Sequence, residues 1–243
     1  MAGKKTAGLV QPVLRPLRSG NTFEETVERL LRLIKLGVVA PGESLPPERE
    51  LALLMAVSRG TLRDAIRSLR DAGYVESRRG RGGGTFVVTR SAGSPEGSIV
   101  PPEHPDAAAV DDVLALRFVL ETGAAELAAR QRLTGSARDL LLALQDECCR
   151  VALTDYRPAD SRLHLTVAEL SGSPSLAAAV AEARARANDL LDAIPLLPRN
   201  LEHSNQQHAR IVQAILAEQP AEAREAMAEH LDGTAALLRA FLA

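Results

Sequence analysis

Four side chains with the chemistry of metal ligands, Asp160, His164, His208 and His230, recur at spacings that helices can align. Asp160 and His164 are four residues apart, so on a helix they project from one face. His208 and His230 lie eleven residues on either side of Gln219, which precedes Pro220 in what reads as a turn between two helices. At a rise of ~1.5 Å per residue each ring then sits roughly 16 Å from that turn, level with the other on antiparallel helices. Three imidazoles and one carboxylate form a ligand set for a borderline divalent ion such as Zn, Ni, Cu or Mn, with positions left for water or a bound carboxylate. Any one of these histidines, taken singly, reads more simply as a surface residue. The symmetry about the turn and the Asp-x-x-x-His pair favour a cluster.

A second chemistry lies in residues 45–70, LPPERELALLMAVSRGTLRDAIRSLR. Leu51, Leu54 and Met55 recur at helical spacing before a break at residues 56–58, and Leu62, Ala65, Ile66 and Leu69 recur after it, which is a helix-turn-helix pattern. On the second helix Arg59, Arg63, Arg67 and Arg70 fall at i, i+4, i+8 and i+11, forming a basic stripe beside the apolar one. Such a stripe suits a groove lined with phosphates. Downstream, Arg78, Arg79 and Arg81 sit among glycines in RRGRGGG between two short β patterns, residues 74–77 and 85–89. That arrangement reads as a wing whose backbone and cations can approach a phosphate or enter a minor groove. A solvated loop is the alternative for the glycine stretch by itself.

These groups must be held by the rest of the 243 residues, enough for two domains. Aromatics make up 2% and Trp is absent, while Ala and Leu dominate, so the fold class expected is mostly α. The net charge of −2 hides an asymmetry. Residues 1–90 hold 16 Lys+Arg against 9 Asp+Glu, and residues 91–243 hold 13 against 22. A half at +7 beside a half at −9 predicts that the first alone meets nucleic acid. The adjacent Cys148 and Cys149 give neither a disulfide framework nor zinc-finger spacing, which points to a reduced, cytoplasmic protein. No apolar run approaches the ~18 residues of a membrane span, and residues 1–12 lack the apolar core of a signal peptide.

Taken in order, residues 1–20 read as a flexible basic arm and residues 21–90 as a winged helix-turn-helix domain. The first helix of that domain is capped at Asn21 or Thr22 and runs to Gly37, and Ser58 is placed to cap the recognition helix. Residues 91–108, rich in Ser, Gly and Pro, read as a linker. Residues 109–243 carry about six helical patterns separated by short breaks, which predicts an antiparallel all-α bundle. His104 falls in the linker and reads as solvent-exposed.

The succession PGESLPPERELA, VSRGTLRDAIRSL, GYVESRRGRGGGTFV resembles the winged helix-turn-helix of the GntR family of bacterial transcription regulators over about residues 22–90. The resemblance implies that Arg49 grips the DNA backbone and that Ser58, Arg59, Thr61 and Arg63 serve the major-groove contact. By the same resemblance the wing around Arg79 and Gly80 meets the minor groove. Gly60 departs from the Thr commoner at that place, which removes a hydroxyl from the readout. The segments LALRFVLETGAAELAAR, DSRLH, QQHARIVQAI and MAEHL are similar to the FCD ligand-binding domain of the FadR subgroup. That similarity implies metal ligands at Asp160, His164, His208 and His230, and implies that Arg117 pairs with the carboxylate of a small effector. An ion pair between Arg117 and Glu121, one turn on, is the other reading of that arginine.

The function expected is therefore a metabolite-responsive regulator, a homodimer on a double-stranded DNA operator. Its bundle would bind a divalent ion (Zn, Ni or Mn) and a small organic acid. A repressor is favoured over an activator because release needs only a change of half-site spacing. No enzyme is expected, since HExxH, a nucleophile with its base, a P-loop GK[ST] ending and a dinucleotide fingerprint are all missing. Two alternatives stay open: a metal-dependent enzyme fused to a DNA-binding module, and a dimerisation bundle without a small ligand.

Overall fold

The computed structural model describes residues 20–35, 38–80, 83–88 and 106–242. The arm expected over 1–20 apart from residue 20, the linker residues 91–105 with His104, and Arg81 lie outside the described residues. The chain divides into two units, residues 1–104 with 236–243, and residues 105–235.

In the first unit, α1 (Thr22–Lys35), α2 (Glu48–Met55) and α3 (Arg59–Asp71) precede an antiparallel pair, β1 (Val75–Arg78) and β2 (Gly84–Val87). The helices form because Val27, Leu30, Leu31, Leu51, Met55, Leu62, Ile66 and Leu69 recur at helical spacing and all reach the interior. Each such side chain contributes on the order of 1.5–3 kcal/mol of burial. Between α2 and α3, Ala56 closes the first helix in the left-handed region at φ 54°, an unusual conformation for a residue with a Cβ. The Ser58 side chain then accepts from the Thr61 amide at 3.0 Å and starts α3.

The strands pair Val75 with Val87 and Arg78 with Gly84, each displaced slightly from the pattern read in the sequence. On its other edge β2 pairs with residues 43–45. Leu45 donates to the Thr85 carbonyl at 2.7 Å and Val87 to the Glu43 carbonyl at 2.9 Å. This third segment fixes the register of β2 more strongly than its own alternation does. The last residues of α9 (Pro220–Leu242) fall in this unit, where Phe241 meets Tyr74 edge-on at 5.7 Å between ring centroids.

The second unit is helical throughout: α4 (Ala107–Ala129), α5 (Gly135–Arg150), a short 3-10 turn (Leu153–Asp155), α6 (Tyr156–Leu170), α7 (Pro174–Asp192), α8 (Pro198–Leu216) and most of α9. Side-chain oxygens of Asp106, Thr134 and Ser173 cap α4, α5 and α7. Helix α4 starts at Ala107, so the last two residues of the expected linker are helical. Proline opens α7, α8 and α9, where its missing N–H costs no intrahelical bond. The core joins Leu141, Tyr156, Leu163, Val167, Ile211, Ile215, Met227 and Leu231 to a row of alanines on α4, Ala125, Ala128 and Ala129. The small alanines let α4 lie close to its neighbours, and polar groups of five helices, α4 and α6 to α9, come within reach of one another.

Candidate functional site

Helix α6 carries Asp160 and His164 on one face, α8 carries His208, and α9 carries His230. The bundle brings one ligand atom from each within 4.8 Å of the others. His164, His208 and His230 are 2%, 1% and 3% exposed, so water does not solvate the cluster freely. His208 Nε2 lies 3.2 Å from Asp160 Oδ1 and 3.3 Å from His164 Nε2. The rings of His208 and His230 have centroids 4.5 Å apart.

Around these four stands a buried ionic frame. Arg184, on α7, bonds Oδ2 of Asp160 through Nη2 and lies 3.3 Å from Glu121 Oε2 through Nη1. Glu121, on α4, also receives Arg117 Nε at 2.6 Å and the Nδ1 of His164. Burial would raise the Glu121 carboxyl, but the guanidinium groups of Arg117 and Arg184 outweigh it and hold its pKa well below the usual carboxylate range. Burial likewise works against ionised Asp160, and Arg184, His164 and His208 hold that carboxyl low. Burial and then Arg184 push His164 down to about 4, while burial and the two neighbouring imidazoles push His230 well below its ordinary value. Near neutral pH these two rings are uncharged and the two carboxylates are ionised, which is the protonation state that metal binding requires.

The residues fit a divalent cation on this geometry. The Nδ1 of His164 and of His230 face acceptors, Glu121 and Gln207, the latter at 3.2 Å. Their Nε2 lone pairs are thereby free for the cluster, beside an ionised carboxylate oxygen. Lone pairs crowded into a buried space repel unless an electrophile stands between them. A borderline ion would supply that electrophile and, with four protein ligands, could retain positions for water or a carboxylate.

Two donors here have no partner among the described residues: Nη1 of Arg117 and Nε of Arg184. Both readings of Arg117 thus meet in one residue, which pairs with Glu121 and keeps a buried N–H group unused. Arg184 was not singled out in the sequence, although it shares a helical stripe with the buried Val180, Ala183 and Ala187. An arginine on an apolar stripe is the signal that exposes it. Gln207, on the buried face of α8 with Ser204 and His208, is a second such residue.

The expected DNA-contacting residues are distributed over the first unit. Arg49 is exposed on α2, Arg59 and Arg63 are exposed on α3, and Arg79 and Gly80 are exposed in the wing. Thr61 is half-buried and its hydroxyl lies 2.8 Å from that of Ser58. The arginines differ in availability. Arg70 pairs with Asp71 at 3.1 Å, and Arg78 pairs with Glu76 at 2.6 Å while lying over the Phe86 ring. Arg49, Arg59, Arg63, Arg67 and Arg79 have no ion pair among the described residues. Gly80 turns the wing at φ 103°, and a Cβ at Gly83 would stand 2.5 Å from the Arg78 carbonyl oxygen. The tight wing therefore needs glycine at both places.

Comparison with known families decides what these two units are. Residues 22–87 match the model for bacterial regulatory proteins of the gntR family, and residues 112–233 match the FCD domain. The chain belongs to the GntR family, in its FCD-containing form. It is 32% identical over 236 residues to a candidate HTH-type transcriptional regulator, RmpR, of Mycobacterium gastri, covering 90% of this chain and 81% of that one. It is 31% identical over 229 residues to a candidate regulatory protein of the L-lactate dehydrogenase operon of Escherichia coli K12, covering 86% and 83%. With the transcriptional repressor NanR of Cronobacter sakazakii it shares 30% identity over 240 residues, covering 93% and 88%. This GntR-family chain is thus a transcriptional regulator rather than an enzyme, with a DNA-binding head and an FCD effector domain. No helix among the described residues is long and apolar enough to cross a membrane.

Proposed function

We propose that the chain is a metal-dependent sensor of a small carboxylate that governs its own hold on an operator. The convergence of Asp160, His164, His208 and His230 within 4.8 Å, beside unused N–H groups of two buried arginines, carries this reading. Zn, Ni or Mn suits the donor set. The residues would divide the work. The four ligands hold the ion, and Arg117 and Arg184 offer charged hydrogen bonds to an organic acid arriving beside it. One relative is named for an operon of L-lactate dehydrogenase, an enzyme of a small organic acid, which supports that class of effector.

On the DNA side Arg59 and Arg63, with Thr61, would read the major groove, Arg49 would grip the backbone, and Arg79 and Gly80 would enter the minor groove. Ser58 serves the contact indirectly by fixing the start of α3. A homodimer follows from the need to place two recognition helices one DNA turn apart. Leu116, Val119 and Leu127 support it: these apolar residues lie exposed along one side of α4, with Gly123 between them facing open space. Repression is the sign favoured, by likeness to a relative named as a repressor.

The test is metal analysis of the purified chain followed by a thermal-shift screen of small organic acids with the ion present. One equivalent of metal per chain is expected, with melting raised by the effector through mass action. Protein without stoichiometric metal, and without a shift on adding Zn, Ni or Mn, sinks the sensor reading.

A further inference from the structure

We propose that Glu121 is a positioning residue for the ion: its carboxylate accepts the Nδ1 hydrogen of His164 and so keeps the Nε2 of that ring turned, unprotonated, into the ligand cluster. The inference rests on the metal-site reading above and deepens it.

The three imidazoles are not held alike. His164 faces a charged acceptor, Glu121. His230 faces a neutral one, Gln207, at 3.2 Å. The Nδ1 of His208 is buried with no partner among the described residues. A ring nitrogen binds a metal only when bare, and which nitrogen is bare depends on what the other one donates to. The tautomer is therefore set at Nδ1 for His164 by a full charge and for His230 by an amide dipole, whereas His208 has no Nδ1 partner among the described residues and faces Asp160 Oδ1 with its Nε2 at 3.2 Å.

Glu121 can act this way because its own state is fixed. Arg117 Nε stands 2.6 Å from Oε1 and Arg184 Nη1 3.3 Å from Oε2, so the carboxylate stays ionised although it is 1% exposed. Charge-assisted hydrogen bonds are roughly twice as strong as neutral ones. The same Arg184 also bonds Oδ2 of Asp160, leaving Oδ1 towards the imidazoles. The guanidinium thus registers the acceptor of His164 against the carboxylate ligand itself.

Cobalt(II), whose visible bands report its ligands, is the probe, titrated into the full-length wild type and Glu121→Gln. Wild type is expected to show the bands of an imidazole-rich site, and Glu121→Gln to bind cobalt about 10–100-fold more weakly, the usual effect of removing such a partner. Equal affinity in the two proteins overturns the role of Glu121 and leaves the metal site standing. A wild type that develops no cobalt bands overturns the metal site, and this inference with it. Because Glu121→Gln faces two buried arginines and can fail to fold, a second measurement uses the metal-free wild type labelled with 15N-histidine. Ring nitrogen–proton correlations, assigned with His164→Asn, are expected to put the His164 proton on Nδ1. A proton on Nε2 overturns the proposal.

Discussion

The Nε2 atoms of His164 and His208 lie 3.3 Å apart, and both rings are shut off from solvent. At that distance a hydrogen on one Nε2 can be shared with the other, and Asp160 Oδ1, 3.2 Å from His208, competes for it. With the His208 hydrogen moved to Nδ1, a metal ion would take its place among the three atoms, an exchange that leaves all of them satisfied.

Removing two rings from that exchange should abolish metal uptake. His208→Ala with His230→Ala leaves Asp160 and His164 as the only ligands of the set, too few for a closed site. Elemental analysis should fall from one equivalent to background, while non-specific DNA binding, measured by fluorescence anisotropy, persists. Metal that survives the double substitution means that the ligands lie elsewhere.

Acidification should destabilise the metal-free protein. His164 titrates near 4 in the fold against about 6.5 unfolded, so between those values the unfolded chain binds more protons and stability falls as pH is lowered. Glu121 and Asp160, both held low, act in the same direction as pH drops further. His164 alone accounts for a loss on the order of 3 kcal/mol between pH 7 and pH 4. Urea midpoints measured across that range should decline steadily with acid; a flat profile refutes the assignment.

Among the arginines of α3, Arg63→Ala should weaken operator binding by about 1–3 kcal/mol, the worth of a base contact. Arg70→Ala should cost much less, because that guanidinium is already engaged by Asp71. Gel-shift titrations on the same fragment compare the two, and equal losses would remove Arg63 from the readout.

Gly60→Ala should stabilise the first unit by roughly 0.5–1 kcal/mol, since glycine inside a helix loses more backbone entropy than alanine. The added methyl would meet only Ser58 Oγ at 3.4 Å, an ordinary contact. Thermal melting reports the gain, and a lower midpoint would show that the cap does not tolerate the methyl.

Arg184→Met should cost about 3–5 kcal/mol, because it strands Glu121 and Asp160 as buried charges facing one partner fewer. Arg186→Met, two residues on, removes an exposed partner of Asp112 and should cost at most about 1 kcal/mol. Denaturant unfolding of the pair separates an interior clamp from a surface one.

Much of the architecture could be read before any coordinates. Six helical patterns separated by short breaks marked the bundle, Ser58 marked the start of α3, and the arithmetic about Gln219 set two histidines level. The ionic frame was less legible. Arg184 sits in EARARAND, where three charges in five residues suggest a wetted face, and only the apolar neighbours at helical spacing betray its burial. Glu121 was visible only as a salt-bridge partner, since its approach to His164 depends on how closely the alanine row lets α4 lie to α6. The pairing of residues 43–45 with β2 was hidden for a related reason, because it runs through backbone hydrogen bonds that carry no side-chain pattern.

Helices α8 and α9 each begin at a proline, and in each the histidine of the cluster stands ten residues later, His208 after Pro198 and His230 after Pro220. A proline start is a fixed origin, since its ring clashes with any attempt to extend the helix backwards. The depth and bearing of each imidazole are therefore set by counting. One residue inserted between proline and histidine would turn the ring by about 100° and raise it by ~1.5 Å, out of the cluster altogether. Insertions and deletions within those ten-residue intervals are therefore excluded for any descendant that keeps the cluster.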